Sequence, residues 1–228
     1  MQLQAPLMTD GIPASIDLAV PMAGFGPFAI AGIIATEFSY GKDEEIYGEE
    51  EQAEYVYQVI KGAVRSYKLL SDGRRQIHAF YMPGDVFGME SGGARHRMTA
   101  EAVVATDVRL VKRRSLMTVA GKNMEVARRL LGLMSDGLRH AEDHMLLLGR
   151  KTALERVAAF LLEMDRRLCR AQARGLPMSR RDIGDYLGLT LETVSRSLSQ
   201  LSDEGVVEFT SARQIAIRDR VRLSRLDS

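Results

Sequence analysis

At 228 residues the chain is too long for one ordinary domain and too short for three, so two domains are expected. Its 46% hydrophobic and 27% charged residues fit a soluble globular protein and exclude a disordered chain or one built of membrane spans. A single cysteine, Cys169, excludes an internal disulfide framework and any cysteine-ligated zinc or iron-sulfur site within one chain, while the formal net charge of +1 taken alone argues against a nucleic-acid partner.

Residues 1–35 hold Pro6, Pro13, Pro21 and Pro27 with no sustained period and read as a flexible arm. The longest apolar stretch, near Phe25 to Ile34, is broken by Gly26, Pro27 and Gly32, and the start of the chain lacks the basic residues and long apolar run of a secretion signal. No membrane partner is expected, and the location is cytoplasmic. Across 36–121, short β-rich runs (Tyr55 to Ile60, Val64 to Leu70, Gln76 to Tyr81, Thr99 to Ala105, Val108 to Val111) alternate with Lys61-Gly62, Asp72-Gly73, Pro83-Gly84-Asp85 and Gly92-Gly93. Strands at this spacing predict a small antiparallel barrel or roll.

The pattern turns helical over 122–148. Met124, Ala127, Leu131, Met134, Leu138, Ala141, Met145 and Leu148 alternate spacings of three and four, a heptad seam. Gly132 and Gly137 count against the helix, but Arg128, Arg129, Asp136, Arg139, Glu142 and Asp143 fill its other faces, leaving a narrow apolar stripe. A parallel homodimer is favoured over packing within the chain. No seam position is charged, so dimerisation should not wait for a ligand. His140 and His144, with Glu142 and Asp143 between them, have a spacing that can bind zinc. With no third ligand evident they read as exposed helical histidines flanking the seam, and no metal is assigned.

Gly149 is expected to break the helix as a hinge between domains. Thr152 and Glu155 then make a capping box for a helix running to about Arg170. The last region, 149–228, carries 15 Lys and Arg against 11 Asp and Glu (+4), whereas 1–148 carries 16 against 19 (−3). Arginine supplies 14 of those 15, and its planar fork matches phosphate and guanine. Ser179 to Asp182 is a further capping signature for a short helix with Ile183, Tyr186 and Leu187 as its apolar face. Gly188-Leu189-Thr190 stops that helix, and Thr190 caps another with Val194, Leu198 and Leu201 facing inward. Two helices joined by a tight glycine turn predict a helix-turn-helix, whose second member enters the DNA major groove. Val206 to Thr210 and Gln214 to Arg218, turning at Ser211-Ala212-Arg213, predict a wing.

The outward face of the second helix suits base reading. Glu192 can accept from cytosine N4 and Arg196, four residues on, can grip guanine O6 and N7; Ser195 adds a hydroxyl and Leu191 can meet a thymine methyl. The plain alternative is an i,i+4 salt bridge on a solvated helix. The preceding turn, the caps and the wing favour double-stranded DNA. Ser179, Thr190 and Thr193 lie in first turns, where phosphates bind, and Arg213 is placed to reach one from the wing.

The stretch Ser179-Arg-Arg-Asp-Ile-Gly-Asp-Tyr-Leu-Gly-Leu-Thr-Leu-Glu-Thr-Val-Ser-Arg196 resembles the helix-turn-helix of the CRP/FNR transcription regulators, and Glu192 to Arg196 is similar to its FNR and FixK branch. The resemblance extends through His144 to Leu148, Glu155 to Phe160 and Pro83 to Gly88, covering about Glu37 to Arg218. It implies an α+β chain: an N-terminal antiparallel β-roll of the cyclic-nucleotide-binding kind, a long dimerisation helix and a C-terminal winged helix-turn-helix. It also implies an activator that touches RNA polymerase, with the loop Asp72 to Arg75 a candidate contact, and a role in nitrogen fixation or microaerobic metabolism. The dimer would read an inverted repeat with TTGA-like half-sites about 34–36 Å apart.

Departures from the pattern narrow what is sensed. Oxygen sensors of the FNR type need a cysteine cluster, which one cysteine cannot supply. Cyclic-nucleotide binders of the family place a Glu directly after the glycine aligned with Gly88 and an Arg-Ser pair further on; here Met89 follows Gly88, and Met98 follows Arg97. Glu90 and Arg97 are displaced remnants. The reading is therefore a FixK-like regulator with no cofactor, controlled chiefly by how much protein is made. The alternative is a ligand-gated regulator using the β-roll, or a redox-gated one using Cys169, which Arg166, Arg167 and Arg170 surround in sequence. No nucleophile-base pair or metal triad supports an enzyme.

Overall fold

The computed structural model describes residues 33–90, 95–170, 175–211 and 214–226. Eight strands form its first half: β1 (Ala35–Tyr40), β2 (Glu45–Tyr47), β3 (Tyr55–Lys61), β4 (Val64–Leu69), β5 (Arg75–Tyr81), β6 (Val86–Phe87), β7 (Thr99–Ala102) and β8 (Thr106–Lys112). They pair antiparallel in two four-stranded sheets, ordered β1-β8-β3-β6 and β2-β7-β4-β5. Tyr57, Val59, Phe87 and Val108 of the first sheet meet Tyr47, Val64 and Ala100 of the second, so one core lies between them. All five predicted runs are strands; β1, β2 and β6 were not predicted. The roll begins earlier than expected, because Ile33 and Ala35, assigned to the arm, are buried in the core, while residues 1–32 lie outside those described.

Each sheet also packs on its outer side. A helix not foreseen, α1 (Arg113–Ala120), leads into α2 (Met124–Arg150), 27 residues long, whose Asn123 cap accepts from the backbone N–H of Glu125 and Val126. Leu116, Val126 and Leu130 pack against Val56 and Val111 on the back of the first sheet, with Leu133 partly buried beside them. The stripe on α2 is therefore one of two apolar faces. Gly149 lies inside α2, and the break expected there falls at Lys151 and Thr152. Thr152 N donates to Glu155 (2.7 Å) and accepts reciprocally through its hydroxyl, so the predicted box caps α3 (Ala153–Arg170).

The C-terminal part comprises α4 (Arg180–Leu187), α5 (Leu191–Asp203), the hairpin β9 (Val207–Ser211) and β10 (Gln214–Ile217), and α6 (Arg220–Leu226). Its core does not stop at the roll. Ile77 and Phe80 of β5, with Met82 and Val103, join Val157, Phe160 and Leu161 of α3 and Ile183, Tyr186 and Leu187 of α4 in one buried cluster. In place of a free hinge, the junction is a packed surface.

Gly132 stands in α2 with nothing within 4 Å of where a Cβ would lie. Gly132→Ala should raise unfolding stability by about 0.5–1 kcal/mol, read from the denaturant midpoint, because only the backbone entropy of glycine is removed.

Candidate nucleic-acid interface

The two helices of the head are set by side-chain caps and a glycine turn. Ser179 Oγ accepts from Asp182 N (3.1 Å), and Asp182 Oδ2 accepts from Ser179 N (2.9 Å) and Ser179 Oγ (2.7 Å), a complete capping box on α4. The helix ends at Gly188 in the left-handed region (φ 64°). Leu189 N bonds back to Gly184 O (3.0 Å), and a Cβ on Gly184 would sit 2.7 Å from Leu189 O. Only glycine lets this turn close on its own helix. Thr190 then caps α5 by accepting from Thr193 N (3.2 Å).

Val194, Leu198 and Leu201 are buried as expected, which turns Leu191, Glu192 and Arg196 to solvent, with Ser195 half-buried beside them. A hydrogen bond from its own backbone N–H, then Thr190, then Arg196 and Arg181, hold the Glu192 carboxyl below the usual range, so it presents an ionised acceptor at neutral pH. Thr190 is exposed and Thr193 half-buried, their hydroxyls 3.0 Å apart. Ser179 is exposed too, but both its N–H and its hydroxyl already donate to Asp182. Arg213 lies outside the described residues.

Arg180 was missed by sequence reasoning. Its guanidinium reaches Ser195 Oγ (3.4 Å) and stands 5.5 Å from the Phe209 ring on β9, linking α4, α5 and the hairpin. The Arg180-Arg181 pair was the available signal, read only as filler inside a cap.

The seam residues Met124, Leu131, Met134, Leu138 and Met145 are 53–75% exposed, whereas Ala127, Ala141 and Leu148 are half-buried. The two histidines do not flank a solvated face: His140 and His144 are turned inward to Tyr186 of α4, the His144 ring 4.2 Å from it. Cys169 is a free, exposed thiol on α3. In the roll, Glu90 Oε2 is 3.1 Å from His96 Nδ1 and 3.4 Å from Arg113 Nη2, and His96 is buried and stacked on Tyr47 at 3.6 Å. Burial opposes ionisation of Glu90, yet the His96 hydrogen bond and Arg113 prevail and keep its pKa low. Arg97 is exposed. At the start of β5, Arg75 is not free for a partner protein: it donates to Asp182 (2.6 Å) and Asp185 (2.9 Å) of α4.

Comparison with known proteins accords with this geometry. Residues 37–116 match the cyclic nucleotide-binding domain and residues 155–226 the Crp-like helix-turn-helix domain. The chain is 46% identical over 207 residues to the nitrogen fixation regulation protein FixK of Azorhizobium caulinodans, covering 89% of this chain and 83% of that one. The chain belongs to the CRP/FNR family. A second FixK, from Rhizobium meliloti, is 41% identical over 87% of the chain and 90% of its own length. The solved structure of FixK2 from Bradyrhizobium japonicum superposes with a TM-score of 0.82 at 70% identity, covering 86% of this chain and 98% of that one. This CRP/FNR regulator is thus a DNA-binding transcription regulator and not an enzyme. Among its described residues no helix is long and apolar enough to cross a membrane.

Gly184→Ala in this regulator should destabilise the head by about 1–3 kcal/mol, since a methyl would press on the carbonyl of the turn. Chemical denaturation followed by circular dichroism reads the change.

Proposed function

We propose that this regulator is a homodimer that reads a TTGA-like inverted repeat through Leu191, Glu192, Ser195 and Arg196 and activates transcription without a bound cofactor. The observation that carries the reading is the exposed apolar row on α2. Five large side chains spaced as a heptad and left in solvent by their own chain are the signature of a helix that meets a copy of itself. Thr190 and Thr193 are assigned to phosphates, with Arg213 from the wing, while Ser179 sits at the start of α4 with its N–H and hydroxyl taken by Asp182. We divide the chain into an arm, a sensor-like roll that starts with β1, the dimerisation helix α2 and a DNA-binding head that starts with α3.

Two features of the roll support action without cyclic AMP. Met89 stands where the family's nucleotide binders carry a carboxylate, and the nearby Glu90 is consumed by His96 and Arg113. We assign the regulator to the cytoplasm, with RNA polymerase as its protein partner through Asp72 to Arg74 and not Arg75. FixK relatives named for nitrogen fixation support a role there or in microaerobic metabolism. The exposed thiol of Cys169 supports a second reading, in which oxidation gates the same activity.

Titration of the purified, ligand-free protein against a TTGA-type palindrome, with and without oxidant, separates the two. Tight, salt-dependent binding in both arms is the outcome expected of the unregulated dimer; loss on oxidation favours the thiol reading. In the same assay Arg196→Ala should cost about 1–3 kcal/mol per half-site and relax preference at one base pair. Unchanged preference there contradicts the assignment. Leu138→Glu, which sets a charge on the seam, should give monomers by sedimentation that fail on the palindrome.

A further inference from the structure

The chain has four histidines, and three of them converge where the roll, the long helix and the head meet. His140 and His144 come from α2, their rings 6.3 Å apart, and His78 comes from β5. The His144 ring lies 4.2 Å from that of Tyr186 on α4. The Tyr186 hydroxyl is 3.5 Å from both His140 Nε2 and Glu163 Oε2 of α3, and His140 Nδ1 is 3.7 Å from Glu163 Oε1. Thus His140 has a counter-ion at hand. His144 has none: both its ring nitrogens are buried without a hydrogen bond of proper geometry. Among the described residues no set of His, Cys, Asp or Glu is arranged to hold a metal ion, so the chemistry open to the cluster is protonation.

We propose that the face where His140 and His144 meet Tyr186, with His78 beside the two histidines, is a proton-sensitive latch: uptake of a proton by His144 opposes the docked arrangement and releases α4 from the long helix. A second N–H on this ring would be a buried donor with only the Tyr186 backbone carbonyl at hand, and its charge would stand beside two other imidazoles. The remaining charged groups on the packed elements do not relieve it. Glu163 is shared with Arg167 Nη1 (3.0 Å), and Arg167 also donates to Asp85 (2.7 Å). Asp182 and Asp185 of α4 are occupied by Arg65 and Arg75, and Arg156 is spent on the carbonyls of Leu148 and Leu187. Arg97 adds positive potential at His78.

Burial, then His140 and His78, push the His144 pKa down to about 4, against the smaller pull of the Tyr186 backbone. Burial, then His140 and Arg97, lower His78 as well. In an opened face these rings return toward the ordinary value of about 6.5. The open state therefore binds more protons in between, so docking is complete above about pH 6.5 and is lost progressively as pH falls toward about 4. The latch does not depend on which DNA sequence the head reads.

Hydrogen exchange at the α4 backbone amides of the full-length protein, corrected for the intrinsic pH dependence of exchange, measures the opening. From about pH 7.5 to about 5.5 the opening constant should rise about tenfold through His144 alone, with any share from His78 added. His144→Phe keeps a ring on Tyr186 and cannot titrate; it should match the wild type at the higher pH and lose that tenfold rise. No rise in the wild type, or an equal rise in His144→Phe, overturns the latch. A ring-proton NMR titration of wild-type His144 tests it without any variant: a midpoint below about pH 5 supports it and one near 6.5 overturns it.

Discussion

Asp182 has two oxygens with two tasks. Oδ2 takes the N–H and hydroxyl of Ser179 and so starts α4, while Oδ1 takes Arg65 Nη1 (3.1 Å) and Arg75 Nη2 (2.6 Å) from strands β4 and β5. A carboxylate this deeply buried is tolerable because four donors meet it. Arg65 in turn donates to Glu101 of β7 and to Asp43 (2.9 Å), and Arg75 donates to Asp185 one helical turn along α4. Removing one buried member strands the others at a cost of about 3–5 kcal/mol, although an apolar set of equal volume can pack as tightly. What the charges add is direction: they fix how α4 is rotated on the sheet, which apolar packing alone leaves looser.

Helix α5 inherits that direction. Gly184 and Leu189 close the turn so tightly that α5 cannot pivot on α4 without breaking it, and Val194, Leu198 and Leu201 sink into the cluster that also holds Phe80 of the roll. From Arg65 to Glu192 the chain of fixed geometry is therefore continuous. Tyr186 contributes at the same surface, its ring 5.3 Å from Phe80 and 5.8 Å from Phe160. A head held this way presents the side chains we propose as base readers already oriented, which fits the proposed regulator that needs no ligand to arrange them.

How much of this was legible in the sequence depended on the range of the cause. The caps at Ser179, Thr190 and Thr152 were readable because cap and partner lie three residues apart, and the turn because Gly188 is followed two residues later by the capping Thr190. The exposed apolar row of α2 was readable because its residues fall on one repeating period. Strands β2 and β6, three and two residues long, are too short to carry a period and exist only through their partners. Helix α1 starts at Lys112 with no side-chain cap, so nothing local announced it. The second face of α2 was hidden for a different reason: Val126, Leu130 and Leu133 interleave with the seam, and only the sheet behind them shows that they form a separate stripe. His140 and His144 were misplaced because Tyr186, 46 and 42 residues further on, and the second sheet's His78 supply their surroundings.

The charge arithmetic needs the same correction. An excess of arginine in the last third pointed to DNA, but much of that excess is used inside the protein. Arg156 donates to the carbonyls of Leu148, Lys151 and Leu187, closing the C-terminal ends of α2 and α4 where orphan acceptors and the helix dipoles favour a cation. Arg167 joins α3 to Asp85 and the Phe80 carbonyl, and Arg218, Arg220 and Arg222 pair with Glu208, Asp165 and Glu204. The cations turned outward on the helix-turn-helix itself are fewer, Arg181 and Arg196 among them. Because salt dependence counts phosphates neutralised and not arginines encoded, the net charge of the region overstates its electrostatic grip. Location decides the function of these side chains. The same residue type serves as helix cap and interdomain clamp and, in the proposed reading, as base reader within one small domain.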